Sequence, residues 1–108
     1  MARADTSDGI DATIDHVDAA AYTIPTDAPE SDGTIAWDST TIIIVHATGG
    51  GTTGIGYAYA DAAAASLIQR TLARVVSGQR VRDVIGANVA MAKACRNLGR
   101  PGIAAGAI

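Results

Sequence analysis

Gly49-Gly50-Gly51-Thr52-Thr53-Gly54 has the spacing Gly-x-Gly-x-x-Gly directly after a β-branched run. In dinucleotide-binding proteins that spacing lets a tight turn bring backbone against a pyrophosphate, and the turn must open a helix whose N-terminus receives the phosphate. Here Ile55, Tyr57 and Tyr59 alternate with small residues, so the glycines are expected to form a hairpin turn between two strands. His16 and His46 fall on segments expected to be adjacent strands and could share a proton or a metal. No third ligand sits at useful spacing, which favours solvated strand histidines. Cys95 lies on the apolar stripe of an expected helix with no base nearby, the setting of a small buried hydrophobe rather than a nucleophile. Asp27, Glu30 and Asp32 crowd one segment but lack the ligand alternation and closing Glu of an EF-hand loop, so a solvated acidic loop is expected. Trp37, Tyr57 and Tyr59 can either wall a ligand pocket or anchor a loop.

The elements that position these residues follow from periodicity. An imperfect alternation from Ile14 to Ile24 reads as a first strand, closed by Pro25 with its missing N–H. Residues 25–36 hold two of the three prolines, three acids and a glycine, which predicts a long loop of the kind used as a lid or binding loop. Thr40 to Val45 centres a second strand over about 37–47, and Gly54 to Tyr59 a third, antiparallel to it. From Asp61 the period changes. Leu67, Ile68, Thr71, Leu72, Val75 and Val76 share a helical stripe, predicting a helix over 61–77 with Asp61 as N-cap and Gly78 as the stop. Val81, Val84, Ile85, Asn88, Met91, Ala92, Cys95 and Leu98 predict a second helix over about 81–98, ended by Gly99 and Pro101. Gly102 to Ile108 resembles the apolar opening of a third helix that is cut short. Residues 1–12 are small, polar and acidic, so a disordered tail is expected there. The fold class is therefore α+β: a three-stranded antiparallel meander followed by a small helical bundle.

Composition bounds what such a chain can do. It has 108 residues, 8 basic against 11 acidic side chains, and a net charge of −3. That balance argues against a nucleic-acid binder, which needs clustered cations. A lone cysteine excludes an internal disulfide and points to a reducing compartment. The polar N-terminus lacks the form of a signal peptide, and no apolar run approaches the length that spans a bilayer, so a cytoplasmic protein with no membrane partner is expected. Twenty-three alanines, no Phe and one Trp make a thin core, and such a chain is expected to complete it against a partner, as a homo-oligomer or otherwise.

The order of elements, with Tyr22-Thr-Ile-Pro-Thr-Asp27, Asp32-Gly33-Thr34, Trp37-Asp-Ser-Thr-Thr-Ile42, Gly54-Ile-Gly-Tyr-Ala-Tyr59 and Arg96-Asn-Leu-Gly-Arg-Pro-Gly102 to Ile108, resembles the N-terminal capping domain of the mandelate racemase and muconate lactonizing enzyme branch of the enolase superfamily. The resemblance covers residues 13–108. It implies a cap cut within its third helix, a partner (β/α) barrel holding Mg2+ and the catalytic bases, and no catalytic, cofactor or metal residues in this chain itself. It further implies that the segment at about 24–37 is a mobile specificity loop over a small carboxylate such as an acid sugar, and that Gly54 to Tyr59 supplies a second contact. Ile24, Trp37 and Tyr57 are the expected pocket walls, and Asp32 or Thr34 the polar contact. Tyr57 stands where the commoner Gly-x-Gly-Glu pattern has its Glu, pointing to a racemase-like or dehydratase-like pocket. The reading from another class is a freestanding, non-catalytic module that self-associates through its sheet and its Ala- and Gly-rich end.

Overall fold

The computed structural model describes residues 11–96 and 106–108. Three antiparallel strands form one sheet in the order β1 (Ile14–Ser31), β2 (Ala36–Gly49), β3 (Thr52–Tyr59). Gly49 pairs with Thr52 around a two-residue loop, Gly50-Gly51, whose φ values are 60° and 78°. Two successive positive φ angles are what a type I′ hairpin needs, because its twist matches that of the flanking strands. The glycine run is thus spent on the turn, as expected, and no helix follows it.

After the sheet the chain turns helical: α1 (Ala63–Leu67), a π-helical turn (Ile68–Leu72) and α2 (Ala73–Val76) run on without a break, and α3 (Val84–Ala94) follows. Asp61 Oδ2 accepts from the Ala63 N–H at 2.9 Å, and its carbonyl accepts from the Ala64 N–H at 2.9 Å, so the expected cap is in place. Asp83 caps α3 through Oδ1 on the Gly86 N–H, also at 2.9 Å. An N-cap acceptor satisfies a donor that the helix leaves without a partner, and this sets where α3 begins. No helix among the described residues is long and apolar enough to cross a membrane.

All helices pack on one face of the sheet. Val17 and Ala19 of β1 and Ile43 and Val45 of β2 meet Ala65, Ile68, Leu72, Val76, Met91, Cys95 and Ala107. Ile68, Leu72 and Val76, four residues apart, are fully buried. Cys95 is buried too and free, as its place on the stripe predicts. Among the described residues no polar or charged side chain is buried. The Ala107 backbone lies directly against Gly56, where a Cβ would collide with its carbonyl oxygen.

Several expectations are corrected. Pro25 does not close β1: it pairs with Ser39, and the strand runs on to Ser31. β1 is the sheet edge, where a proline N facing outward removes no ladder bond. The long loop over 25–36 therefore contracts to the turn between Ser31 and Ala36. Its surplus residues form a bulge, since Pro25 pairs with Ser39 and the next pair is Glu30 with Trp37. Helix two begins at Val84 rather than 81, because the cap is Asp83 and Val81 instead donates its N–H to the Ala12 carbonyl at 2.9 Å. Val84 and Ile85, expected on its buried stripe, are exposed. Ala12, placed in the tail on composition, is buried. Leu98, Gly99 and residues 102–105 lie outside the described residues.

With so few large side chains in the core, truncating one should be costly. Leu72→Ala should lower stability by about 2–5 kcal/mol, the range for a fully buried leucine, as read by urea denaturation of the 108-residue chain.

Candidate functional site

β3 ends opposite Ile42, where Tyr59 pairs with it, but β1 and β2 continue past that row as a ribbon of two strands. Seven residues of β2 carry the ribbon about 20 Å beyond the sheet at the usual rise per residue. The radius of gyration, 16.4 Å, exceeds the roughly 13 Å of a compact chain of this length, as a projecting arm requires. At the arm's root Thr23 and Thr41 share a hydroxyl hydrogen bond at 2.9 Å. Ile24 and Ile35 are exposed along it and Trp37 is half-buried. A lone two-stranded ribbon is marginal in water, so this one is built to rest on something or to move.

The tip is held by a carboxylate. Asp32 Oδ1 accepts from the Thr34 hydroxyl at 2.6 Å, the Thr34 N–H at 2.9 Å and the Ile35 N–H at 3.1 Å. The Thr34 hydroxyl, then the Thr34 and Ile35 amides, hold the Asp32 carboxyl down to about 2. Gly33, at φ 94°, makes the turn between them. Asp32 and Thr34, the expected polar contacts, thus bond each other.

Antiparallel order puts the end of β3 at the same end of the sheet as the arm. There the Ala60 N–H donates to the Thr41 carbonyl at 3.3 Å and Asp61 starts α1. Alternation places Tyr22, Ile24, Ile42, Ile44, Ile55, Tyr57 and Tyr59 on the face without helices, and Trp37 at the parity of the helix-covered face. Of the expected site residues, Ile24 and Tyr57 therefore share a face, about 13 Å apart along the strands. Asp32 and Thr34 sit at the tip. Tyr22 and Tyr59, which complete this apolar face, were not singled out from sequence, although the alternation of Tyr57 and Tyr59 with small residues carries the signal.

His16 and His46 do become neighbours, through Asp18: His16 Nε2 lies 3.4 Å and His46 Nδ1 3.6 Å from its two carboxylate oxygens. All three are largely solvated, and no group of three or more His, Cys, Asp or Glu among the described residues could hold a metal. A separate apolar cavity of about 630 Å3 lies between the β2–β3 hairpin and α3, lined by Ile14, Val81, Val84, Ile85 and Met91 among others.

No protein-family model matches the chain, and no curated protein does. Solved structures do. A mandelate racemase/muconate lactonizing enzyme-like protein from Rubrobacter xylanophilus is 43% identical, with a TM-score of 0.80, over 85% of this chain and 26% of that one. The chain belongs to the mandelate racemase/muconate lactonizing enzyme family. Its sheet and helices match the N-terminal capping domain of the enolase fold. A racemase from Streptomyces coelicolor with bound magnesium is 27% identical over 84% of this chain and 27% of that one, with a TM-score of 0.76. The fold alone is shared with an L-talarate dehydratase from Polaromonas, at 19% identity over 86% of this chain and 28% of that one and a TM-score of 0.72. The chain spans about a quarter of the length of these family members.

Because the folded-state pKa of Asp32 is lowered from 3.8 to about 2, its support of the capping-domain tip is present above the ordinary carboxylate range and is lost as pH falls through about 2. The Thr34 amide resonance should titrate with that midpoint and lose the step in Asp32→Asn. A midpoint at the ordinary carboxylate value would mean the tip bonds do not form in solution.

Proposed function

We propose that this chain is the substrate-capping part of a magnesium-dependent acid-sugar dehydratase or racemase/epimerase of the enolase superfamily, with the β1–β2 arm as its lid and specificity element. The observation that carries the reading is the arm: an exposed ribbon bearing Ile24, Ile35 and Trp37, at the sheet end where the β3–α1 turn also lies, in a domain that is a quarter of its relatives' length. The partner is a (β/α) barrel of the same enzyme, and the substrate a small carboxylate. The enzyme is read as cytoplasmic from its acidic balance and single cysteine.

In this reading the barrel removes a proton α to the carboxylate, and magnesium stabilises the enediolate that results. The described residues of this chain offer the metal no ligand set, so the barrel holds it. What this chain contributes is closure. Ile24 and Trp37 at the arm's root exclude water and shape the pocket, Asp32 and Thr34 offer polar groups at the tip, and Tyr57 contributes from the sheet. Because the Asp32 and Thr34 side chains already hold the turn, they present a fixed geometry to a ligand at little further ordering cost.

The test is to combine the chain with a separately produced family barrel and assay aldonic acids for dehydration and epimerisation. Removing residues 26–35 should lower kcat/KM by about a hundredfold, the scale on which misplaced closure acts, and should flatten the preference among acids. Unchanged rate and preference would remove the lid role.

A further inference from the structure

The sheet has two faces and the helices cover one. On the other, the register stacks Tyr22, Ile42 and Tyr59 in one row, Ala20, Ile44 and Tyr57 in the next, and Asp18, His46 and Ile55 in the third. Tyr22, Ile24, Ile55, Tyr57 and Tyr59 are each more than half exposed. Taking about 200 Å2 for a large side chain, these five leave roughly 600 Å2 of apolar-rich surface in one patch, the upper end of what monomeric proteins show. Ile42 and Ile44 between them are only partly covered. Tyr57 and Tyr59 already stack edge to face, with ring centroids 6.1 Å apart at 80°, so the patch is partly ordered before anything meets it.

We propose that this face is the interface between two copies of the chain, packed sheet on sheet about a two-fold axis parallel to the strands. The composition of the rows selects both the occupant and the axis. Each row runs from β1 through β2 to β3, and a two-fold along β2 lays the β1 end of a row over the β3 end of the same row in the copy. The middle row is small at one end and large at the other, so each Tyr57 ring enters the space above Ala20 of the second copy. The row beside it sets Tyr22 against Tyr59, aromatic on aromatic. In the third row each Asp18 lies over Ile55 of the copy and next to its His46, a complementary charge.

An axis across the strands would instead set Asp18 and His16 against Ile24, burying charge on hydrocarbon. Sheets that stack this way keep their strands within about 30° of alignment. The patch, with its partly covered isoleucines, approaches the roughly 800 Å2 per partner of a standard interface. This surface is independent of the lid reading, which uses the arm and the β3–α1 turn; it gives the oligomer a specific face.

Sedimentation of the 108-residue chain tests it, with far-UV circular dichroism confirming that each variant is folded. The wild-type chain should be dimeric at concentrations of about 10–100 μM, the range an interface of this size supports. Tyr57→Asp, a change at an exposed side chain, should leave the spectrum unchanged and weaken the dimer at least about tenfold. Ala20→Tyr should do the same by filling the space that Tyr57 enters. The exchange Ala20→Tyr with Tyr57→Ala should restore association, because the two-fold returns the large residue to a small partner. A monomeric wild-type chain at 100 μM overturns the proposal. So does a dimer that survives Tyr57→Asp, which would move association to the cavity lined by Val81, Val84 and Ile85. Failure of the exchange to restore what the single changes lose would overturn the axis.

Discussion

The fold hangs on the contact of Ile68, Leu72 and Val76 with Ile43 and Val45, five side chains that water does not reach. A chain with twenty-three alanines and no Phe has few residues able to remove much area from water, and these are among the largest it has. Their positions decide the rest. Four-residue spacing on the helical side and two-residue spacing on β2 fix which face of each element turns inward. The π-helical turn at Ile68–Leu72 falls inside this stripe, yet both of its apolar ends stay buried. The close approach of Ala107 to Gly56 adds a last layer that only a residue without a side chain admits.

One-sided packing divides the molecule into a supported part and an unsupported one. Between Gly49 and Ile42 every strand has neighbours and, over most of that length, a helix behind it. Beyond Ile42 the ribbon has neither, and its order rests on ladder hydrogen bonds, the Thr23–Thr41 hydroxyl pair and the Asp32 tip. Elements of low local stability are where proteins place parts that close over ligands. The meander's geometry brings the start of α1 to the same end, so a flexible and a rigid edge face the same space.

Much of this is legible in the residues. Thr40 to Val45 can hardly be other than a strand, the Gly-Gly pair between alternating segments marks the hairpin, and Ile68, Leu72 and Val76 announce a helix by their spacing. What was not legible depends on neighbours rather than on local pattern. Whether Pro25 ends a strand turns on whether the strand is an edge, and whether four residues after it form a loop or a bulge turns on what β2 does opposite them. Val84 and Ile85 have the spacing of a buried stripe but no sheet lies under them. Asp32 and Thr34 read as free polar groups because sequence does not show that they satisfy one another. For the site, the parity that separates Trp37 from Ile24 follows once the register is known.

β1 is eighteen residues long and lies at the rim of its sheet, a template on which foreign chains could add themselves end to end. The irregularities that make it hard to read also blunt that hazard. Pro25 and Pro29 offer no donor, the bulge between them bends the rim out of line, and Gln69 on the π-helical turn donates to the Ala19 carbonyl from the side a new strand would occupy. The same stretch that loosens the arm for movement thus keeps it from polymerising. A straighter, better-behaved strand there would trade a working hinge for a fibril seed.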